Sequence, residues 1–235
     1  MNILAVGAHP DDIEILCAGT LARYARQGHA VFLASFTCGD MGDLEISPAE
    51  LARIRKAEAE ASAAILGARL LWPAITDELV FPNEEQRRLM IDLLRQADPD
   101  VILTHSPNDY HPDHRYVSQL VFDSYFQKGL PHLPNQKLPA CRFAQAQVYY
   151  VDNLGGIGFE PDEYVDITES FETKCRMLQC HQSQLKAMKD LARTNIVEMV
   201  RTQAAFRGLA AGCQYAEGFQ QLKAFQRGLT RRILP

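Results

Sequence analysis

The chain has 235 residues, 47% of them hydrophobic, and a formal net charge of −5. That length and composition suit one globular domain with a sizeable core. The acidic balance excludes nucleic acid as the main partner, because phosphates need a basic surface, and no apolar run approaches the ~18–20 residues of a membrane span.

Residues 2–8 form an apolar run typical of a strand buried on both faces. Over 13–27 the apolar positions Leu16, Leu21 and Tyr24 recur at helical spacing, and Gly28 closes the segment. A second buried strand is predicted at 30–36, then a polar, glycine-containing loop to 46. Ser47-Pro48-Ala49-Glu50 is a capping box that opens a long alanine-rich helix to about Leu66, ended by Gly67. A strand at 68–72 follows, then a helix capped by Asn83 with Gln86 and running to about Ala97. After the break Asp98-Pro99-Asp100, a fourth strand at 101–105 leads through a turn-rich loop into a helix at 112–127. Residues 129–146 are proline-rich and read as an insertion or lid within a single domain. Strands at 146–151 and 164–167 resume the sheet, followed by a helical stretch over 168–193 and an irregular tail. Lys223, Arg227, Arg231 and Arg232 make that tail locally basic, as a solvated helix face is.

Strand and helix in alternation predict an α/β fold, a Rossmann-like three-layer arrangement with a mainly parallel sheet and helices on both faces. There is no internal repeat, no full GxGxxG and no P-loop, so a nucleotide cofactor has no support. The six cysteines are scattered without a CxxC, and the apolar start is too short for a secretory signal. Both readings favour reduced thiols in a cytoplasmic protein. Cys175, Cys180 and His181 fit no standard zinc spacing. His29, His105 and His132 read as structural or surface histidines.

Two short runs concentrate the chemistry: Ala8-His9-Pro10-Asp11-Asp12-Ile13-Glu14 and His111-Pro112-Asp113-His114. Each follows a predicted strand, and sites in open parallel sheets form beyond the carboxyl ends of strands. Two histidines and one carboxylate make a catalytic zinc set that leaves a position for water. His111 and His114, three apart at a helix start, face roughly the same way. Asp11 and Asp12 are adjacent and cannot both reach one point, so one is free for proton work. The runs alone leave open which aspartate does which.

These runs, with the Gly19-Thr20 pair, closely resemble the LmbE-like, or PIG-L, family of zinc-dependent N-deacetylases. The resemblance extends over most of the chain through Arg55 and Glu58, Asp77, Val165-Asp166-Ile167 with Lys174, His181-Gln182-Ser183-Gln184 and Tyr215-Ala216-Glu217-Gly218-Phe219. It implies one Zn2+ held by His9, Asp12 and His114, with Asp11 as general base. It also implies that His111 stabilises the oxyanion and helps protonate the amine, and that Asp113 orients His111. Arg55 and Asp77 match sugar-contacting positions, and Tyr215 a position near the substrate carbonyl. The implied partners are a small N-acetylated substrate, such as an N-acetylglucosamine conjugate, and further copies of the chain in a homo-oligomer. Leu16 and Ala18 stand where many members carry glycine, and 129–146 does not match the thiol-pathway enzymes. Two rival readings accompany this one: hydrolysis of another amide or a carbamoyl-type bond, and a metal-binding protein without turnover.

Overall fold

A computed structural model describes residues 1–134, 136–141, 146–224 and 232–235. Seven strands form one sheet in the order β3-β2-β1-β4-β5-β7-β6. β1 (Asn2–Gly7), β2 (Ala30–Ser35), β3 (Arg69–Leu71), β4 (Val101–Thr104) and β5 (Gln147–Val151) are mutually parallel. β7 (Ala216–Gln221) runs antiparallel between β5 and β6 (Glu163–Asp166).

The apolar strand runs are explained by burial on both faces. Ile3 and Ala5 point into one core with Leu33, Leu103 and Tyr149, covered by α1 (Asp12–Leu16), α2 (Ala18–Arg26), α6 (Phe171–Leu178) and α8 (Ile196–Ala211). Leu4 and Val6 point into the other with Ile102 and Val148, covered by α4 (Glu84–Ala97) and α5 (Pro112–Ser124). The expected three layers are thus present. α3 (Pro48–Ile65) and α4 start where their caps predict: Ser47 Oγ accepts from Glu50 N at 3.4 Å, and Asn83 Oδ1 from Gln86 N at 2.9 Å. No helix among the described residues is long and apolar enough to cross a membrane.

From β1 the chain winds outward through β2 and β3, then returns to lay β4 on the other side of β1. The strand order reverses there, so the loops after β1 and β4 part and open a crevice.

Four elements differ from expectation. The helix predicted over 13–27 breaks at Cys17 (φ −145°, ψ 10°) into α1 and α2. The break is stabilised from β7. Glu217 accepts from the exposed N–H groups of Gly19 (3.0 Å) and Thr20 (2.8 Å), and Lys174 Nζ bridges Glu217 (2.5 Å) to the Ile15 carbonyl (2.8 Å). A carboxylate at a helix N-terminus meets both the free donors and the dipole. Gly19 is also required sterically, since a Cβ there would sit 2.8 Å from Ile167 Cβ. Second, the stretch over 168–193 is a short 3-10 turn, α6 and α7 (Gln182–Ala192), interrupted around His181. Third, the tail holds two ordered elements, α8 and β7. Asn195 caps α8 by accepting from Glu198 N at 3.3 Å, and Gly212 at φ 74° ends it.

Fourth, the described part of 129–146 is no cover for the crevice. It lies on α4, where Arg95 donates to the carbonyls of Lys128 (3.1 Å), Leu130 (2.8 Å) and Leu138. Residues 135 and 142–145 of that segment, and Arg227 and Arg231 of the basic tail, lie outside the described residues.

Candidate metal centre and catalytic cavity

The loop after β1 is pinned from several sides. Thr37 Oγ1 donates to Ala8 O at 2.9 Å, the Ala8 N–H donates to His105 Nε2 at 2.9 Å, and the His9 N–H donates to Asp12 Oδ2 at 2.7 Å. Asp11 sits at φ 125°, a left-handed conformation costing a non-glycine residue about 1–3 kcal/mol. Arg55, buried at 3% exposure, holds it there. Its Nη2 donates to Asp11 Oδ1 at 3.2 Å and to Pro10 O, while Nη1 reaches Gly39 O at 3.1 Å.

The loop after β4 delivers the second run. Pro112 opens α5 and His111 caps it, with His111 Nδ1 accepting from Asp113 N at 3.2 Å. One turn on, His114 Nε2 comes within 3.2 Å of His9 Nδ1. The Asp12 carboxylate lies between them, with Oδ2 3.4 Å from His9 Nδ1 and Oδ1 3.3 Å from His114 Nε2.

Hydrogen bonding sorts the histidines. His105 Nε2 has its lone pair occupied by the Ala8 N–H, and His111 Nδ1 by the Asp113 N–H. In neutral His111 the proton therefore sits on Nε2, which is 3.3 Å from Glu78 Oε1. His9 and His114 are the reverse case. Their outer nitrogens face carboxylates: His9 Nε2 is 3.1 Å from Asp77 Oδ1, and His114 Nδ1 is 3.1 Å from Asp109 Oδ1. Carboxylates at ion-pair distance there favour a proton on each outer nitrogen and so an inner lone pair, as metal-ligating histidines require. Two inward lone pairs 3.2 Å apart repel unless a proton or a cation lies between them. Ligands about an ion bonded at ~2.0–2.1 Å stand roughly 3.3 Å apart in a tetrahedron. His9, Asp12 and His114 therefore fit a divalent cation.

The electrostatics agree. Burial alone would raise Asp12, but His114, His105 and His9 around it hold its carboxyl well below the usual carboxylate range. Burial opposes protonation of His114, yet Asp12 and Asp109 push it up to about 9. Asp11 is the opposite: burial raises it to about 6 despite Arg55 beside it. His111 is lowered by burial and by neighbouring His9 and His114, so it is neutral near pH 7.

These groups line one side of a cavity of about 260 Å³. Of the nine residues expected at a site, eight converge: His9, Asp11, Asp12, Arg55, Asp77, His111 and His114 line the cavity, and Asp113 lies behind His9. Two expectations are corrected, for Asp113 and Tyr215. The Asp113 carboxylate does not orient His111. It accepts from Glu78 N at 2.9 Å and lies 3.4 Å from His9 Nε2, because the helix turns it behind the ring it follows. Arg55 and Asp77 line the cavity, where Arg55 Nη2 donates to Asp11 and Asp77 Oδ1 accepts from Thr37 and faces His9 Nε2. Tyr215 lies off the cavity. It precedes β7, two strands from β4, where its ring stacks on Phe171 at 3.9 Å and its hydroxyl accepts from Arg201 at 3.2 Å.

His105, read as structural, proves central: it is 1% exposed, stacks on His114 at 3.9 Å and lies 3.1 Å from Asp12 Oδ2. Its signal was its place, the first residue past β4, as Ala8 and His9 follow β1. Asp109, two residues before His111, was also missed.

Residues 4–125 match the family described as PIG-L, GlcNAc-PI de-N-acetylase. The whole chain aligns with 86% of the diacetylchitobiose deacetylase of Thermococcus kodakarensis at 29% identity. The solved N,N'-diacetylchitobiose deacetylase of Pyrococcus horikoshii superposes with a TM-score of 0.81 at 29% identity, over 94% of this chain and 83% of that one. A different chemistry is also represented: 94% of the chain aligns with 89% of the 4-oxalmesaconate hydratase of Pseudomonas putida at 26% identity.

Proposed function

This chain belongs to the PIG-L family of de-N-acetylases, and we propose that it is a zinc-dependent hydrolase that removes an N-acetyl group from an uncharged amino sugar or related small-molecule conjugate. The carrying observation is the pair of inward nitrogens on His9 and His114 beside Asp12, in one cavity with Asp11 and His111. A cation held by His9, Asp12 and His114 supplies Lewis acidity and acidifies water.

The chain's own groups account for the proton movements. Asp11, its carboxyl near 6, is ionised at neutral pH and basic enough to take a proton from attacking water. The His111 Nε2–H donates to the oxygen of the acyl group as negative charge develops there. Asp11 then returns its proton to the amide nitrogen, the C–N bond breaks, and acetate and a free amine leave. Glu78 Oε1 lies 3.3 Å from the same His111 Nε2, so the acyl oxygen takes over that proton's hydrogen bond from Glu78. Asp77, Asp109 and Asp113 hold the outer faces of His9 and His114.

The hydratase relative offers a second reading, because a metal with a nearby base also activates water for addition. The charge of the cavity favours the first. Among the described residues Arg55 is the single arginine or lysine lining it; its Nη1 and Nη2 donors face Pro10, Asp11 and Gly39, while its Nε has no hydrogen-bond partner. Beyond the cation held by His9, Asp12 and His114, an anionic substrate would meet the carboxylates of Asp11, Asp77 and Glu78, with Arg55 the one arginine or lysine among the described lining residues. A binding role without turnover is disfavoured by the open cavity and by acid–base groups that no structural metal needs. Acetate release from N-acetylglucosamine derivatives, with zinc and with a chelator, tests the proposal. Metal-dependent release supports it. Hydration of oxalmesaconate with no release from any N-acyl compound would overturn it.

A further inference from the structure

Besides the histidines and carboxylates, the cavity lining is largely apolar. Ile15 and Leu16 come from α1, Leu154 from the loop after β5, Met188 from α7, and Ile196 and Met199 from α8. The first core cluster continues directly into this wall. Leu16 and Ile196 belong to that cluster, and Ile15, Met188 and Met199 are partly buried against it.

The wall is a built surface. Arg207 on α8 grips Asp152 through two contacts, at 2.6 and 3.0 Å, and also donates to the carbonyls of Gly156 (3.2 Å) and Phe159 (3.1 Å). Gln203 on the same helix accepts from Gly155 N and donates to Asn153 O, both at 2.9 Å. Leu154 is thereby fixed against α8. A sugar hydroxyl placed against these six side chains would give up water and find no side-chain partner on them, which is costly; Gln184, one turn before Met188 on α7, is the polar lining residue of that helix. A methyl or methylene placed here gains, and methionines adapt to irregular shapes.

We propose that this wall receives an apolar group of the substrate, an alkyl or aryl substituent next to the scissile amide, so that the preferred substrate is an amphipathic amide conjugate and not a free sugar. This rests on the deacetylase reading above. The substituent has two possible points of attachment, the acyl chain or the amine-bearing part. Two substrate series separate them: methyl, butyl and phenyl β-glycosides of N-acetylglucosamine, and N-acetyl against N-butyryl glucosamine.

Each fully buried methylene is worth about fourfold. We expect kcat/KM to rise at least tenfold along one series, and Met199→Gln or Met188→Gln to reduce that ratio at least threefold. Thermal unfolding checks that each variant folds, and either one suffices. An enzyme that deacetylates N-acetylglucosamine with equal kcat/KM along both series would overturn this inference and leave the deacetylase reading standing. If nothing is deacetylated, that reading fails, and calorimetric binding of methyl against butyl β-glucosaminide still measures the wall. Tenfold tighter binding of the butyl compound supports it, and equal binding overturns it.

Discussion

The carboxylate of Asp109 is the sharpest handle on the proposed metal centre, because it touches a ligand without being one. It is 3% exposed, its Oδ1 accepts from the His111 N–H at 2.9 Å, and the same oxygen is 3.1 Å from His114 Nδ1. Asp109→Asn keeps an oxygen in that place and removes the charge. Charged hydrogen bonds contribute about 1.5–3 kcal/mol and neutral ones about 0.5–1.5, so the loss is about 1–1.5 kcal/mol, or roughly five- to tenfold in metal affinity. Asp109→Ala removes the acceptor as well, frees the His114 tautomer, and moves the loss toward the ~100-fold seen for outer ligands of metal-bound histidines. A counter-effect has the opposite sign. Without metal, Asp109 and Asp12 hold a proton on His114 up to about pH 9, and the metal must displace it. Removing Asp109 eases that displacement, so the loss is smaller at pH 7 than at pH 9. Competition for zinc against a chromophoric chelator, at both pH values, measures each step. Wild-type affinity in both variants at pH 9 would refute the assignment of His114 as a ligand oriented by Asp109.

Asp11→Asn should retain zinc and lose about 10²–10⁴-fold in turnover, the usual worth of a general base; near-normal turnover of the zinc-loaded variant would remove Asp11 from that role. Because Asp11 must be ionised and burial lifts it to about 6, kcat/KM should fall below about pH 6, with bound cation moving that limb lower. Arg55 opposes the lift, so Arg55→Met should move the limb upward, and a downward move in the pH profile would contradict the pairing. The same raised carboxyl favours the folded state below its unfolded value near 4, an advantage lost as pH rises through about 6. Glu217→Gln breaks a buried ion pair at a cost of about 3–5 kcal/mol, equivalent to roughly 6–20 °C in Tm for a chain of this size. A calorimetric loss under 2 °C would show that the helix break does not depend on it.

What was legible in the sequence followed from strong local signals. Strands buried on both faces, a capping box and two His-Pro-Asp runs each declare themselves within a few residues; β1 to β5, α3 and α4 came from them, while the runs only located the candidate site and the choice of ligands rests on the family resemblance. What was missed depends on contacts distant in sequence. Nothing near Cys17 announces a helix break, because the groups that stabilise it, Lys174 and Glu217, arrive more than 150 residues later. β7 carries Glu217 and Gly218 inside a strand of six, a poor β pattern. Both residues are explained by neighbours: Glu217 by α2, and Gly218 by Pro161, whose Cγ would lie 2.5 Å from a Cβ. The role given to Asp113 failed for a related reason. Adjacency in a motif fixes where a backbone goes, not which ring a carboxylate faces.

These distant contacts bear on how the site is held. The matched family region ends at residue 125, yet the short helix after the metal run is fastened from beyond it. Glu14 on α1 accepts from Ser62 Oγ at 2.5 Å and lies 3.3 Å from His181 Nε2. Burial would raise its carboxyl, but His181 and Ser62 hold it low, while Glu14 holds His181 high against burial. Lys174 secures the other end of α1 through Ile15 O. A five-residue helix has too few internal hydrogen bonds to hold a strained Asp11 at its start. The strain is sustained because Arg55, His181 and Lys174, from three other helices or their ends, each fix one part of 10–15. The metal run therefore supplies the chemistry, and the rigidity that keeps Asp11 facing the cavity comes from Arg55 on α3 together with His181 and Lys174 from the carboxyl-terminal third of the chain.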